Sequence, residues 1–126
     1  MAILGLGIDI AQIDRLEQVF ARRGERFLAR VFTNTERSYC DARQARFTHY
    51  AGRFAAKEAA IKALGTGGQP GVRWTDVEIQ SESGAAPRLE LHGATARLAS
   101  RRGVANLHVA ITHDGGMASA VVVAED

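Results

Sequence analysis

The stretch Gly52–Gly67 reads GRFAAKEAAIKALGTG and predicts the central element of the fold, a long helix over residues 47–64. The stretch is rich in alanine, and Gly65 stands where helices commonly end. At about 100° per residue, one side of the helix carries an apolar stripe roughly 60° wide, which we expect to face a core. The stripe consists of Phe47, Tyr50, Phe54 and Ile61.

Glu58 lies on the flank of this stripe, about 40° from Phe54, and Lys62 follows one turn later on the same side. Two explanations are open. Glu58 and Lys62 have the i, i+4 spacing of a surface ion pair, which stabilises a helix by a few tenths of a kcal/mol. Alternatively, a carboxylate held against a core loses hydration and needs a compensating charge or metal ion, which predicts a functional site.

The composition indicates one globular domain. The chain has 126 residues, of which 46% are hydrophobic and 24% charged, and we assign residues 1–126 to a single domain. The start, MAILGLGIDI, has no basic region and reaches Asp9 too early for a signal peptide, and no apolar run approaches the ~18 residues of a membrane span. The single cysteine, Cys40, fits a reducing compartment. We therefore expect a cytoplasmic protein without a membrane partner.

The positive charge is unevenly distributed, although the net charge is only +2. Nearly all basic residues are arginine, and they cluster early in the chain, which indicates an acidic partner or a solvated face. A nucleic-acid partner would usually require a stronger positive excess. The first cluster is Arg15, Arg22, Arg23, Arg26 and Arg30, and the second is Arg37, Arg43, Arg46 and Arg53.

The order of predicted elements indicates an α+β domain, with an antiparallel sheet packed against the long central helix and shorter helices. Thr33 and Glu36 form a capping box that starts a helix. Asp114-Gly115-Gly116 predicts the turn of a hairpin. Strands are expected over residues 3–10, 77–79, 87–91, 107–112 and 118–124, and further helices over 13–23, 27–32 and 93–102.

The first strand places Gly5, Gly7 and Asp9 on one bare face and large apolar residues on the other. Glycine weakens a strand unless another backbone or a ligand approaches that face. Asp9 either caps the following helix or belongs to a site. If Asp9 and Glu58 converge, their carboxylates suit Mg²⁺, and Lys62 could hold a phosphate oxygen or protonate a leaving group.

Two further segments have both structural and functional explanations. The loop Gly65–Gly68 is explained as a helix C-cap, and a phosphate-binding nest of backbone N–H groups is the alternative. His113 ends a strand beside the predicted hairpin and has no metal-ligand spacing with the other histidines. From the residues alone, the chain is predicted to contain a Mg²⁺-dependent site that handles a phosphate or pyrophosphate.

Three segments, in this order, resemble the motifs of the holo-[acyl-carrier-protein] synthase family of 4′-phosphopantetheinyl transferases. They are Gly7-Ile8-Asp9-Ile10, the long run Arg53–Gly67, and Ile111-Thr112-His113-Asp114. Asp114 departs from the Ser or Thr that the family more often has there. The resemblance extends over essentially the whole chain and implies the 4′-phosphopantetheinyl transferase fold.

The resemblance implies the transfer of 4′-phosphopantetheine from coenzyme A to a serine of apo acyl carrier protein for fatty acid biosynthesis, with release of adenosine 3′,5′-bisphosphate. Asp9 and Glu58 would hold Mg²⁺, Glu58 would accept the serine proton, and Lys62 would neutralise or protonate the departing phosphate. The implied coenzyme contacts are Gly65, Thr66, Arg53 and His113.

The resemblance also implies a homotrimer with the coenzyme A cleft between subunits, and carrier contacts at Arg15 and Arg22, with Arg23 and Arg26 as weaker candidates. Two other classes remain alternatives. A non-catalytic module that binds a carrier or a nucleotide is disfavoured by Asp9, Glu58 and Lys62 together. A nucleic-acid-binding domain is supported only by arginine content, and it is not expected because the aromatic residues among the arginines have the spacing of a core.

Overall fold

Five α-helices and five β-strands make up the part of the chain that the computed structural model describes, residues 1–82 and 84–126. This is the predicted α+β class. In chain order the elements are β1 (Ile3–Gln12), α1 (Ile13–Arg23), α2 (Glu25–Val31), α3 (Asn34–Asp41), α4 (Arg46–Leu64), a 3₁₀ turn (Trp74–Asp76), β2 (Val77–Gln80), β3 (Arg88–Leu91), α5 (Gly93–Arg101), β4 (Asn106–Asp114) and β5 (Met117–Glu125).

The strands form two antiparallel sheets, one with the order β1-β5-β4 and one pairing β2 with β3. The predicted hairpin joins β4 to β5, and Gly115 and Gly116 have φ values of 58° and 79°. Positive φ at both central residues is what the tight hairpin turn requires, and glycine adopts it without strain. The hairpin places β5 between β1 and β4, with Asp9 opposite Ala120 and His113 opposite Ala118.

Helix α4 lies directly on β1, because the strand has no side chains there. A Cβ atom on Gly7 would lie 1.8 Å from the carbonyl oxygen of Ala59, and one on Gly5 would lie 1.8 Å from that of Ala63. The bare face predicted from the sequence is therefore filled by helix backbone, one of the two occupants that glycine in a strand indicates. This close contact sets the short distance between strand and helix where Asp9, further along the same face, meets α4.

The other face of β1 is exposed in the single chain, although it carries the strand's large apolar side chains. Between 46% and 66% of each residue's surface is accessible at Leu4, Leu6, Ile8 and Ile10. Alternation had indicated the two faces, but the face that packs against the core is the glycine face. An exposed apolar strand face of this size is typical of an interaction surface.

A second cluster of buried side chains packs the shorter helices against the start of α4. It contains Leu28, Val31, Phe32, Cys40 and Tyr50. Burial raises the pKa of the Cys40 thiol to about 12, so this cysteine is structural. The predicted capping box is present, since the Glu36 N–H donates to Thr33 Oγ1 at 3.2 Å and the Thr33 N–H donates to Glu36 Oε1 at 2.8 Å. None of the described helices is both long and apolar enough to cross a membrane.

Candidate active site

Asp9, Glu58 and Lys62 come together where β1 crosses α4. Lys62 Nζ lies 3.0 Å from Asp9 Oδ1 and donates to the backbone oxygen of Ile8, also at 3.0 Å. Lys62 therefore pairs with Asp9, 53 residues away, rather than with Glu58 on its own helix. Asp9 does not cap the next helix, because β1 continues to Gln12 and Gln12 is the N-cap of α1.

The electrostatics of this group favour a cation beside Glu58. Burial raises the pKa of Glu58 above its ordinary value, and the negative charge of Asp9 raises it further, while Lys62 lowers it. The two carboxylates repel each other, and each supplies hard oxygen ligands. The donor set therefore fits Mg²⁺, which Asp9 and Glu58 could hold together with water or phosphate oxygens.

The predicted coenzyme residues Gly65 and Thr66 form the C-terminal cap of α4. Gly65 has φ of 66°, and its N–H, like that of Thr66, donates to carbonyl oxygens of the last helical turn. These two N–H groups are thus already used by the helix cap, and a phosphate-binding nest in the loop Gly65–Gly68 stays a prediction for the N–H groups of Gly67 and Gly68. Thr66 is fully buried, and its Oγ1 has no hydrogen-bond partner among the described residues.

Arg53 and His113 lie on a different side of α4 from Glu58. Arg53 is about 140° around the helix from Glu58, and the strand that carries His113 is two strands from β1, about 10 Å away. The Arg53 guanidinium donates to Ser81 Oγ at 2.7 Å and lies 4.0 Å from the centre of the Tyr39 ring. Its Nε is buried without a partner in the part of the chain described.

Arg53 and His113 lie in a basic cluster with Arg43 and His49, two residues to which the sequence had assigned no coenzyme contact. Burial lowers the pKa of His49, and the charges of Arg53, Arg43 and His113 lower it further. Cationic groups held this close favour an anion between them. Each had been visible as a basic residue, but only folding brings the two sequence segments together. The single chain thus brings the predicted coenzyme residues into two groups rather than one.

The predicted carrier contacts border two adjoining cavities. Arg15 is exposed at the rim of an apolar cavity of about 450 Å³, which Val19, Phe27, Phe54 and Met117 also line. Phe27 is shared with a second cavity of about 510 Å³, whose other lining residues are Arg22, Arg23, Arg26 and Arg30. Apolar contact and positive charge are therefore adjacent on this surface.

Lys57 directly precedes Glu58 on α4, about 100° around the helix, and it is fully buried. Its Nζ lies 2.7 Å from Glu36 Oε1, and neither side chain has accessible surface. The capping box had explained Glu36 without indicating this second role. No spacing rule connects residues 36 and 57, so the sequence pattern carries no signal for the pair.

A second group of potential metal ligands, Glu78, Glu90 and His92, lies on the β2–β3 hairpin, with ligand atoms within 4.8 Å of one another. His92 Nε2 is 3.1 Å from Glu78 Oε1, so these side chains already bind each other.

Comparison with known proteins identifies the family of the chain. Residues 5–118 match the family described as the 4′-phosphopantetheinyl transferase superfamily. A holo-[acyl-carrier-protein] synthase of Anaeromyxobacter dehalogenans (strain 2CP-C) is 55% identical over 98% of this chain and 96% of its own length. The chain therefore belongs to the 4′-phosphopantetheinyl transferase superfamily.

Solved structures narrow the assignment. The crystal structure of the synthase from Neisseria meningitidis superposes with a TM-score of 0.90 at 27% identity, covering 99% of this chain and 100% of the other. The Helicobacter pylori synthase in complex with coenzyme A superposes with a TM-score of 0.83 at 32% identity, covering 95% and 99%. Within the superfamily, the chain is a transferase of the holo-[acyl-carrier-protein] synthase family.

Proposed function

We propose that this chain transfers 4′-phosphopantetheine from coenzyme A to a serine of apo acyl carrier protein, releasing adenosine 3′,5′-bisphosphate. The reaction is Mg²⁺-dependent and serves fatty acid biosynthesis in the cytoplasm. The observation that carries the proposal is the convergence of Asp9, Glu58 and Lys62 from two distant segments, with a raised pKa at Glu58. Phosphoryl transfer depends mainly on positioning and charge neutralisation, which these three groups provide.

Each residue of the group has a separate task. Asp9 and Glu58 would hold the metal, which would neutralise and orient the coenzyme pyrophosphate. Glu58 accepts the proton of the attacking serine, directly or through a water, because it lies beside the phosphate that the serine attacks. The Lys62 ammonium moves from Asp9 to an oxygen of the departing phosphate as its negative charge develops.

The basic cluster around Arg53 and His113 binds the nucleotide end of coenzyme A. Arg53 and His113, supported by Arg43 and His49, present several N–H donors and positive charge to the phosphates there. Gly65 and Thr66 contact the coenzyme beside Lys62, with the unpartnered Thr66 hydroxyl as the group available for a hydrogen bond.

A homotrimer explains how the two groups serve one coenzyme. They lie on different sides of α4 within a chain, so a cleft that joins them lies between neighbouring subunits. The exposed apolar face of β1 supplies the contact, since burying each large aliphatic side chain contributes about 1.5–3 kcal/mol. The number of subunits comes from the family resemblance, and a closed ring leaves no apolar face unpaired.

The acyl carrier protein docks at the two cavities bordered by Arg15 and Arg22. An acidic helix of the carrier pairs with the arginines, and an apolar side chain enters the cavity lined by Phe27 and Phe54. Such pairing chiefly raises the association rate and makes it salt-dependent, while the buried apolar contact supplies affinity.

The test is a carrier-modification assay followed by intact-protein mass spectrometry. The purified chain with coenzyme A and Mg²⁺ is expected to add phosphopantetheine to an apo acyl carrier protein, and Glu58→Gln and Asp9→Asn are expected to abolish the addition. A carrier whose serine is replaced by alanine is the control. Absence of the mass increase with any apo carrier tested, in the presence of metal, would refute the proposal.

A further inference from the structure

Along its middle, helix α4 packs into the main core through small side chains, which resist rotation or sliding only weakly. Six of its eleven buried residues are alanines, and the large apolar ones, Tyr50 and Leu64, lie near its two ends. The alanines are Ala51, Ala55, Ala56, Ala59, Ala60 and Ala63. Helices are normally aligned by side-chain ridges that fit into grooves, and methyl groups make only shallow ridges. Precise complementarity of larger side chains is what selects a single arrangement of packed elements. The alanines thus allow close approach without fixing where along its axis, or at which rotation, the helix stops.

The buried pair of Glu36 and Lys57 makes directional contacts at the middle of this helix. Besides the 2.7 Å contact with Glu36, Lys57 Nζ donates to the backbone oxygens of Trp74, at 3.2 Å, and Val77. All three N–H bonds of the ammonium group therefore have acceptors. The acceptors come from α3, the 3₁₀ turn and β2, which surround one point on α4.

Glu36 is held as firmly as its partner. Its Oε1 accepts from the Thr33 N–H, and its Oε2 accepts from the Ile79 N–H at 2.8 Å. A buried ion pair of this kind usually adds no more stability than an apolar pair of equal volume, because both charges are desolvated. What it adds over an apolar pair is a single allowed geometry.

We propose that the Glu36–Lys57 pair is a positioning device that sets the rotation and axial position of α4, and thereby the placement of Glu58 and Lys62 against Asp9. The inference rests on the proposed roles of those three residues. Glu58 directly follows Lys57, about 100° around the helix. At a side-chain radius of about 5–6 Å, a 20° rotation of α4 displaces the Glu58 carboxylate by about 2 Å.

A displacement of this size matters for catalysis, because about 1 Å of misplacement can cost roughly 100-fold in rate. The variant Glu36→Gln/Lys57→Met removes both charges at nearly constant volume and keeps a capping-box residue at position 36. We expect it to fold, to lose about 10–100-fold in kcat, and to keep the KM values for coenzyme A and carrier within about twofold. We also expect weaker Mn²⁺ binding, measured by electron paramagnetic resonance of the free ion.

The matched control is Tyr50→Phe, which removes another polar link between α3 and α4, the part-buried 2.8 Å hydrogen bond from Tyr50 to Asp41. This control should lower Tm and leave kcat and Mn²⁺ affinity unchanged, so a loss of stability alone is distinguished from a loss of positioning. If the double variant does not fold, the single variant Glu36→Gln takes its place, because Lys57 then keeps its bonds to Trp74 and Val77.

The inference is overturned if the folded variant has wild-type kcat and Mn²⁺ affinity. Glu58→Gln is measured alongside to separate this result from a wrong site assignment. If Glu58→Gln also keeps wild-type kcat and Mn²⁺ affinity, the proposed metal site is wrong and the inference fails with it. If Glu58→Gln loses both while the double variant keeps them, only the positioning role is wrong.

Discussion

Replacing Gly7 by alanine tests the contact on which the site is built. The added Cβ would lie 1.8 Å from the Ala59 carbonyl oxygen, whereas Cβ atoms essentially never approach closer than 3.0 Å. Strand and helix must therefore separate by at least about 1.2 Å, because the obstacle is backbone and cannot rotate away. Because Asp9 lies on the strand and Glu58 on the helix, this separation moves them apart, and we expect both the stability and the activity to decrease.

For Gly7→Ala, we expect a loss of about 1–3 kcal/mol in the free energy of unfolding, which corresponds to a fall in Tm of about 4–15 °C in a domain of this size. A displacement of about 1 Å also predicts a fall in kcat of roughly 100-fold in the protein that remains folded. The measurements are thermal unfolding by circular dichroism and the carrier-modification assay.

The stability control is Gly67→Ala, because its Cβ would lie 3.8 Å from the nearest atom, Ile61 Cγ2. This change should leave Tm within about 2 °C of the wild type. If Gly7→Ala has wild-type Tm and kcat, the close strand–helix contact does not hold the site together, and the reasoning is wrong.

Three other predictions follow from charge and exposure. In metal-free buffer at pH 7, Glu58→Gln should unfold at a higher temperature than the wild type, and the difference should vanish below about pH 4. The reason is that folding raises the pKa of Glu58 above 4.5, so the wild type loses stability as the pH rises through that value and the carboxyl ionises. An equal or lower Tm of the variant at pH 7 would contradict this. Arg15→Glu should lower kcat/KM for the carrier about tenfold at low salt and less at high salt, with kcat at saturation unchanged, as stopped-flow measurements at two ionic strengths would show. Leu6→Arg places a charge on the exposed face of β1, so light scattering should find monomers without transferase activity; an active trimer would exclude this face as the subunit contact.

The sequence predicted local structure well where a residue type has a single structural explanation at its position. The capping box of Thr33 and Glu36, the glycine end of α4 and the hairpin at Gly115 all depend on contacts within a few residues. Such contacts can be recognised from spacing alone. For the same reason, the helices and strands of the structure agree closely with those predicted from the spacing of apolar, capping and turn residues.

Features that join distant segments were harder to predict from the sequence. Alternation along β1 separated a glycine face from an apolar face, but it could not tell that the glycine face is covered, because the covering group is helix backbone and not a side chain. The residues alone left the convergence of Asp9 and Glu58 as a condition, and the resemblance to known motifs made it an expectation. The pairing of Lys57 with Glu36 was not predicted, because the capping box already gave Glu36 a sufficient local explanation.

The position of Cys40 makes the protein convenient for chemical labelling. Because burial raises the pKa of this thiol to about 12 and leaves it no accessible surface, it stays protonated near neutral pH, and reagents reach it only when the chain unfolds. A cysteine introduced at an exposed position would therefore be the single reactive thiol without any need to replace Cys40. Fluorophores and cross-linkers can then follow carrier docking in an otherwise unmodified chain, and reaction of Cys40 itself reports global opening.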